Sequence, residues 1–252
     1  MITKINDTQK AKPLFSNWQE TPIWSCLQKI MGSIYADTEE NPRSAMALLG
    51  DFCFLGGEPS KELIKFQPER KNYIIMVPQS EEWAALIEQT YGVKAKQVTR
   101  YAIKKEPDVF DKEKLQDIIR SLPNEYTLSM IDEVIFNQCR ANEWSKDLVS
   151  QYKDYDMYHR LGIGVAILKE GVLVAGASSY SRYLEGIEIE IDTKEEYRRR
   201  GLAYVCGAKL ILECLDRKLY PSWDAQNKWS VALSEKLGYH FDHEYVAYEV
   251  VY

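Results

Sequence analysis

This chain of 252 residues predicts an α+β (mixed α/β) protein built on a central mixed sheet, preceded by a second α+β domain. Three observations predict it. Residues 161–193 fall into β-rich segments joined by short turns, residues 202–218 switch to a helical period, and a short strand follows at 220–223. A helix carrying the chain from the third meander strand to the next strand is a crossover, so one parallel pair is expected inside an otherwise antiparallel sheet.

The composition limits the function classes. An apolar share of 45% suits a globular chain able to bury a core. No run of eighteen apolar residues exists, and Met1-Ile2-Thr3-Lys4-Ile5-Asn6-Asp7 lacks the apolar stretch of a secretory signal. A cytoplasmic protein without a membrane partner is therefore expected. Cys26, Cys53, Cys139, Cys206 and Cys214 form an odd set with no Cys-x-x-Cys pair, which argues against a disulfide framework or zinc ribbon and for reduced, buried thiols. A net charge of −6 repels nucleic acid. The basic residues are scattered except at Arg198-Arg199-Arg200. No repeat of 20–50 residues and no low-complexity tract is visible, which removes solenoids and disordered tails.

The N-terminal half opens with the aromatics Phe15, Trp18 and Trp24 and a Gly-rich turn around Gly56-Gly57. Residues 73–77 read as a strand, 81–91 as a helix between Ser80 and Gly92, and 94–103 as a strand. A seam is expected at Lys104-Lys105-Glu106-Pro107-Asp108, where a proline among charges ends the extended run. Asp111 then caps a connector helix running to Pro123, giving domains of 1–120 and 121–252.

Beyond residue 125 the pattern continues as a strand at 126–130, a helix capped by Asp132, and a short helix at 144–149. The meander strands are 161–168, 172–180 and 187–193. The helix 202–218 carries Lys209, Glu213 and Asp216 or Arg217 on one i, i+4 stripe and is otherwise apolar, so it is covered on most sides. A helix at 227–237 ends at Gly238, and 241–252 forms a final strand or hairpin.

Three arginines ahead of a helix have the wrong sign for its N-terminus, where cations cost about 0.3–1 kcal/mol each. An anion would compensate them. Gly201, lacking a Cβ, lets a ligand approach the free N–H groups of the first turn, and a pyrophosphate would use both those donors and the guanidinium charge. Pairing of the arginines with Glu195 and Glu196 is the alternative.

Arg198-Arg199-Arg200-Gly201-Leu202-Ala203 resembles the Gln/Arg-x-x-Gly-x-Gly/Ala signature of the GNAT N-acetyltransferases, and it lies between the same elements. The resemblance covers about residues 125–252. It is closer to a two-domain subgroup carrying Tyr-Pro-Ser-Trp-Asp-Ala-x-Asn, here Tyr220 to Asn227. It implies the GNAT acyl-CoA N-acyltransferase fold and acetyl-CoA as cosubstrate, with no metal. Arg198, Arg199, Arg200, Gly201, Leu202 and Ala203 would bind the CoA pyrophosphate. Backbone groups of Ile191, Asp192 and Thr193 would meet the pantetheine arm between two splayed parallel strands, and Asn227 and Ser230 would contact it from the next helix. Asn227 reads equally as a plain N-cap. The N-terminal order echoes the later half of the GNAT order without its Arg-x-x-Gly loop, and reads either as a degenerate second copy or as an unrelated α+β domain.

Acylation of an amine by a thioester needs a base to free the nitrogen lone pair, and an acid can assist the leaving thiolate. Glu188, Glu190 and Asp192 alternate with Ile187, Ile189 and Ile191, which puts the carboxylates on one face of the strand. Such a face is either solvated or, where the fold borders a substrate cleft, a source of basicity. Glu190 is the first candidate base and Glu188 the second. Many family members carry an acid tyrosine four residues before the last helix's terminal glycine; Ser234 stands there in this chain, leaving Tyr180, Ser178 and Ser179 as substitutes, or a thiolate that leaves unaided. Cys206 and Cys214 read as core residues. His159, His240 and His243 have no companion ligands for a metal. The expected activity is direct transfer of an acetyl group to a primary amine on a small molecule or peptide, with a CoA-binding or interaction module that has lost turnover as the competing reading.

Overall fold

The computed structural model describes residues 1–69 and 71–252. It comprises two compact units, Met1–Arg100 with Glu244–Tyr252, and Tyr101–His243. The first contains β1 (Thr3–Lys4), α1 (Thr21–Leu27), β2 (Ser33–Ala36), β3 (Ser44–Leu49), β4 (Phe52–Gly57), α2 (Lys61–Lys65), β5 (Tyr73–Pro78), α3 (Glu81–Tyr91) and the start of β6 (Ala95–Ile103). The second contains α4 (Lys112–Arg120), β7 (Tyr126–Met130), α5 (Glu133–Ala141), α6 (Tyr155–Leu161), β8 (Gly164–Lys169), β9 (Val172–Tyr183), β10 (Gly186–Thr193), α7 (Leu202–Asp216), β11 (Tyr220–Ser222), β12 (Asp224–Ala225) and α8 (Lys228–Leu237). The last strand, β13 (Phe241–Val251), runs from Glu244 onward as part of the first unit.

In the first unit β1 to β4 pair antiparallel, and α2 carries the chain to β5, which lies parallel to β4. β13 then pairs antiparallel with β5, giving the order β1-β2-β3-β4-β5-β13-β6. Alternation of apolar residues along β3, β4 and β5 gathers Met46, Leu55, Ile74 and Met76 with Leu63, Trp83 and Ile87 into one core. As its sequence signals require, α3 starts at Ser80, whose side chain accepts from the Trp83 N–H, and ends at Gly92 with φ +53°.

The second unit is organised by a five-stranded sheet of order β11-β10-β9-β8-β7. Its strands are antiparallel except β10 and β11, the parallel pair expected from the crossover. α7 makes that crossover and buries Cys206, Leu210, Ile211 and Cys214 in the core. Each such leucine or isoleucine contributes about 1.5–3 kcal/mol. Its polar stripe is an ion-pair ladder, Lys209–Glu213 at 2.6 Å and Arg217–Glu213 at 3.7 Å. Gly207 lets neighbours approach closely, since a Cβ there would lie 2.7 Å from Leu237 of α8 and 3.3 Å from Ile191 of β10. Burial pushes the thiols of Cys206 and Cys214 up, as expected of inert core cysteines.

Between 144 and 163 the chain differs from the sequence expectation, and the strand expected at 161–168 begins only at Gly164. The helix expected at 144–149 is a single 3-10 turn, Lys146–Leu148, because Ser145 supplies no side-chain cap. A helix instead forms at α6, where Asp154 accepts from the Met157 N–H at 2.8 Å and Gly162 ends the element. Among the described residues, no helix is long and apolar enough to cross a membrane.

At Gly186 an added Cβ would fall onto the Tyr220 carbonyl oxygen and the Tyr183 hydroxyl. The parallel pairing with Tyr220 and the antiparallel pairing with Tyr183 fix both sides of that contact. Gly186→Ala is therefore expected to cost about 2–3 kcal/mol by overpacking. Gly171→Ala, at a turn with open space around it, should cost only the strain of a positive φ, about 1 kcal/mol. Denaturant midpoints measure both, and equal midpoints would contradict the packing argument.

Candidate functional site

The site begins where β10 and β11 part. Their parallel pairing covers only Gly186, Ile187 and Glu188 against Tyr220, Pro221 and Ser222. β10 runs on to Thr193, whereas the chain leaves β11 at Trp223 and pairs through β12 with Tyr101 and Ala102. The edge of β10 beyond Glu188 thus faces no strand in the sheet order, and its backbone groups at 189–193 border a wedge. Trp223, nearly fully buried, fixes the far side by donating its indole N–H to Ser230 Oγ at 3.0 Å.

At the end of β10 the chain turns into α7 through 194–201. Arg199 and Gly201 are both left-handed, with φ +61° and +79°. Alternating handedness turns successive N–H groups to one side, the concave arrangement that holds an anion. No side chain caps α7, and its first intrahelical bond is Val205 N–H to Gly201 O, so the N–H groups of Leu202, Ala203 and Tyr204 precede the ladder. A Cβ on Gly201 would meet nothing within 4 Å. Arg198, Arg199 and Arg200 are exposed, and no ion pair among the described residues engages them. Arg198 donates to the Thr193 carbonyl at 3.3 Å, and Arg200 donates to the Glu196 carbonyl at 3.0 Å and lies over the Tyr197 ring. The alternative pairing with Glu196 does not form, because that carboxylate takes Lys194 at 2.8 Å. Chain chemistry here fits a phosphate-bearing ligand.

The alternation along β10 sorts its faces as expected. Ile187, Ile189 and Ile191 pack with α7 in the core, while Glu188, Glu190 and Asp192 share the other face. That face is covered rather than solvated. Glu188 is 7% exposed, and Glu190 and Asp192 are half-buried. Leu148 lies over Gly176, the partner of Asp192 on β9. Burial and then the neighbouring Asp147 charge push the Asp192 carboxyl up to about 7, against the opposing pull of Arg198. Asp147 was invisible to sequence reasoning because only folding brings the 3-10 turn to β10. Glu188 is flanked in register by Ser181 and Ser222. Ser222 Oγ is 2.8 Å from the Tyr183 hydroxyl, which burial, and secondarily the Glu188 charge, hold above its ordinary value.

Tyr180 is the extra residue of a β9 bulge: Glu188 faces Ser181 and Ile189 faces Ser179, leaving Tyr180 between them, 8% exposed. Ser178 and Ser179 are fully buried, with hydroxyls against Tyr158 at 2.9 Å and Tyr152 at 2.6 Å. Ser234 is also fully buried and donates back to the Val231 carbonyl. Asn227 caps α8 by accepting from the Ser230 N–H at 2.9 Å. His240 pairs with Glu106 and His243 with Asp242; among the described residues no group of three or more metal-ligating side chains assembles.

A family model described as GNAT acetyltransferase matches residues 12–248. The chain belongs to the GNAT acetyltransferase family. It is 28% identical over 240 residues to the uncharacterized N-acetyltransferase YdfB of Bacillus subtilis (strain 168), covering 90% of this chain and 89% of that protein. A GCN5-related N-acetyltransferase-like protein from Streptococcus suis 89/1591, known from a crystal structure, shares 48% identity and a TM-score of 0.92 over 97% of this chain and 98% of that one. A tandem GNAT protein from the clavulanic acid biosynthesis pathway shares the fold at a TM-score of 0.58 and 10% identity, over 100% of this chain and 98% of that one.

In this GNAT protein the raised Asp192 carboxyl carries a stability signature. A group protonated more readily in the folded than in the unfolded chain contributes stability below the unfolded value near 3.9, and that contribution is lost as pH rises through about 7. Asp192→Asn should therefore flatten the pH dependence and be more stable than the parent at pH 8. Guanidinium unfolding at pH 5 and pH 8 tests this; parallel losses in both proteins would refute it.

Proposed function

We propose that this protein moves an acetyl group from acetyl-CoA to a primary amine of a small-molecule or peptide acceptor, by direct attack in a ternary complex. The observation that carries the reading is the uncapped, left-handed turn ahead of α7, with three exposed arginines in no ion pair among the described residues, beside the wedge where β10 leaves β11. Arg198, Arg199, Arg200, Gly201, Leu202 and Ala203 would hold the pyrophosphate. The β10 edge at Ile191, Asp192 and Thr193 would meet the pantetheine arm, with Asn227 and Ser230 at the start of α8. Bound acetyl-CoA supplies an activated thioester.

The chain's own residues do the rest. The carboxylate face of β10 attracts an ammonium, and Glu190, with Glu188 behind it, takes its proton so that the nitrogen lone pair is free. Tyr180, the bulge residue opposite the Glu188–Ile189 step, is the candidate acid. The first unit reads as a GNAT-like half without a cofactor loop. In support, its pairing order repeats that of the second unit, and the tandem GNAT protein shares the fold over the whole chain. A buried serine at position 234 supports the second reading, a CoA-binding module without turnover.

Gly201→Glu places a negative side chain at the turn in a strained φ, and calorimetric titration should show acetyl-CoA affinity reduced more than tenfold, about 1.4 kcal/mol. Unchanged affinity in the folded variant would sink the site. Glu190→Gln should keep that affinity and lower thiol release from acetyl-CoA in the presence of amines by about a hundredfold at low pH, with recovery at high pH where the amine is already neutral. Acetyl-CoA binding with no thiol release to any amine in the parent protein would favour the module.

A further inference from the structure

Glu190, Ser178 and Gly164 stand in one row across three antiparallel strands, because Glu190 faces Ser178 in the β9–β10 register and Ser178 faces Gly164 in the β8–β9 register. Directly opposed residues share a face, with Cβ atoms about 4.5–5.5 Å apart. Gly164 leaves a gap in the row, and the hydroxyl of Tyr158 from α6 occupies it, so that an added Cβ would collide with that oxygen. The same hydroxyl is 2.9 Å from Ser178 Oγ. Ser178 is fully buried and Tyr158 is 3% exposed. The Tyr158 ring is held by Phe136 at 5.3 Å and edge-on by Tyr152 at 4.9 Å. Ser178 Oγ also donates to the Ile163 carbonyl, at a long 3.4 Å that a stronger acceptor would displace.

We propose that Tyr158 and Ser178 are positioning residues for Glu190: the Tyr158 hydroxyl donates to Ser178 Oγ, which turns the Ser178 hydroxyl hydrogen along the row toward the Glu190 carboxylate. This rests on the reading of Glu190 as the base. Burial holds the Tyr158 hydroxyl well above its ordinary value, so at neutral pH it keeps the proton it donates. A hydrogen bond to the charged form of a carboxylate favours that form, so the row keeps Glu190 ionised and fixes its direction. Other charged or titratable groups near this row include Glu188 and Asp192 on the same strand, Tyr183 beside Glu188, Asp147 from the 3-10 turn, Tyr152, Tyr155 and Cys139 around Tyr158, and Arg198 near Asp192.

The test follows the Glu190 carboxyl by carbon-13 NMR in the free protein, with the signal assigned by its loss in Glu190→Gln. Tyr158→Phe and Ser178→Ala should each raise the midpoint, by about threefold in proton affinity, half a pH unit. Ser178→Thr, which keeps the hydroxyl, should restore it. Tyr152→Phe, which removes an equally buried hydroxyl bonded to Ser179, should leave it in place. An unchanged midpoint in folded Tyr158→Phe, or an equal shift in Tyr152→Phe, overturns the proposal; if Tyr158→Phe does not fold, Ser178→Ala decides. Full thiol release by Glu190→Gln would instead overturn the base assignment and leave the midpoint result standing.

Discussion

The second unit depends on the early end of one parallel strand pair. β10 and β11 share three residues of register and then separate, because the chain at Trp223 is drawn away to pair through β12. β11 is held to its course by the Tyr239 hydroxyl on the Pro221 carbonyl and by the Trp223 indole on Ser230. Backbone N–H and C=O groups along the parted edge of β10 are left without a strand, and leaving such groups unmet costs about 1–3 kcal/mol each once water is excluded. A ligand with its own amides, lying along that edge, meets the requirement that the fold creates.

The first unit makes the contrast physical. It has the same succession of antiparallel strands, crossover helix and parallel neighbour, yet its β4–β5 pair is closed at the end by Gln79. That side chain accepts from the Gly57 N–H at 2.9 Å and donates to the Leu14 carbonyl at 2.7 Å. Its crossover helix is only five residues long, is capped by Ser60 and follows Glu58 and Pro59. A capped helix end preceded by an acid has neither the donors nor the charge to attract a phosphate. Topology alone therefore does not make a site; the residues at the strand end decide it.

Charge is separated along β10 in the second unit. Its end leads into arginines around uncapped helix N–H groups, and its middle presents Glu188, Glu190 and Asp192 on one covered face. Covering that face raises the cost of holding several negative charges together, which Asp192 relieves by keeping its proton to about pH 7 beside Asp147. A cation arriving on this face would relieve the same repulsion.

Much of this was legible in the residues. Period-two runs and caps such as Asp111, Asp132 and Gly238 located the strands and helices, because these signals act over a few residues. The Arg198 to Ala203 turn could be read locally, since a glycine and cations at a helix start depend on nothing distant. Tyr158, Tyr152, Asp147 and the Tyr183–Ser222 pair could not, because each acquires its meaning from a strand or helix 20 or more residues away. The sequence by itself determined most elements of the second unit, the crossover and the glycine-arginine turn ahead of α7. Only the tertiary structure decided which carboxylates are covered, where β10 parts from β11 and how the bulge at Tyr180 sets register, because those are properties of long-range pairing, which local propensity does not encode.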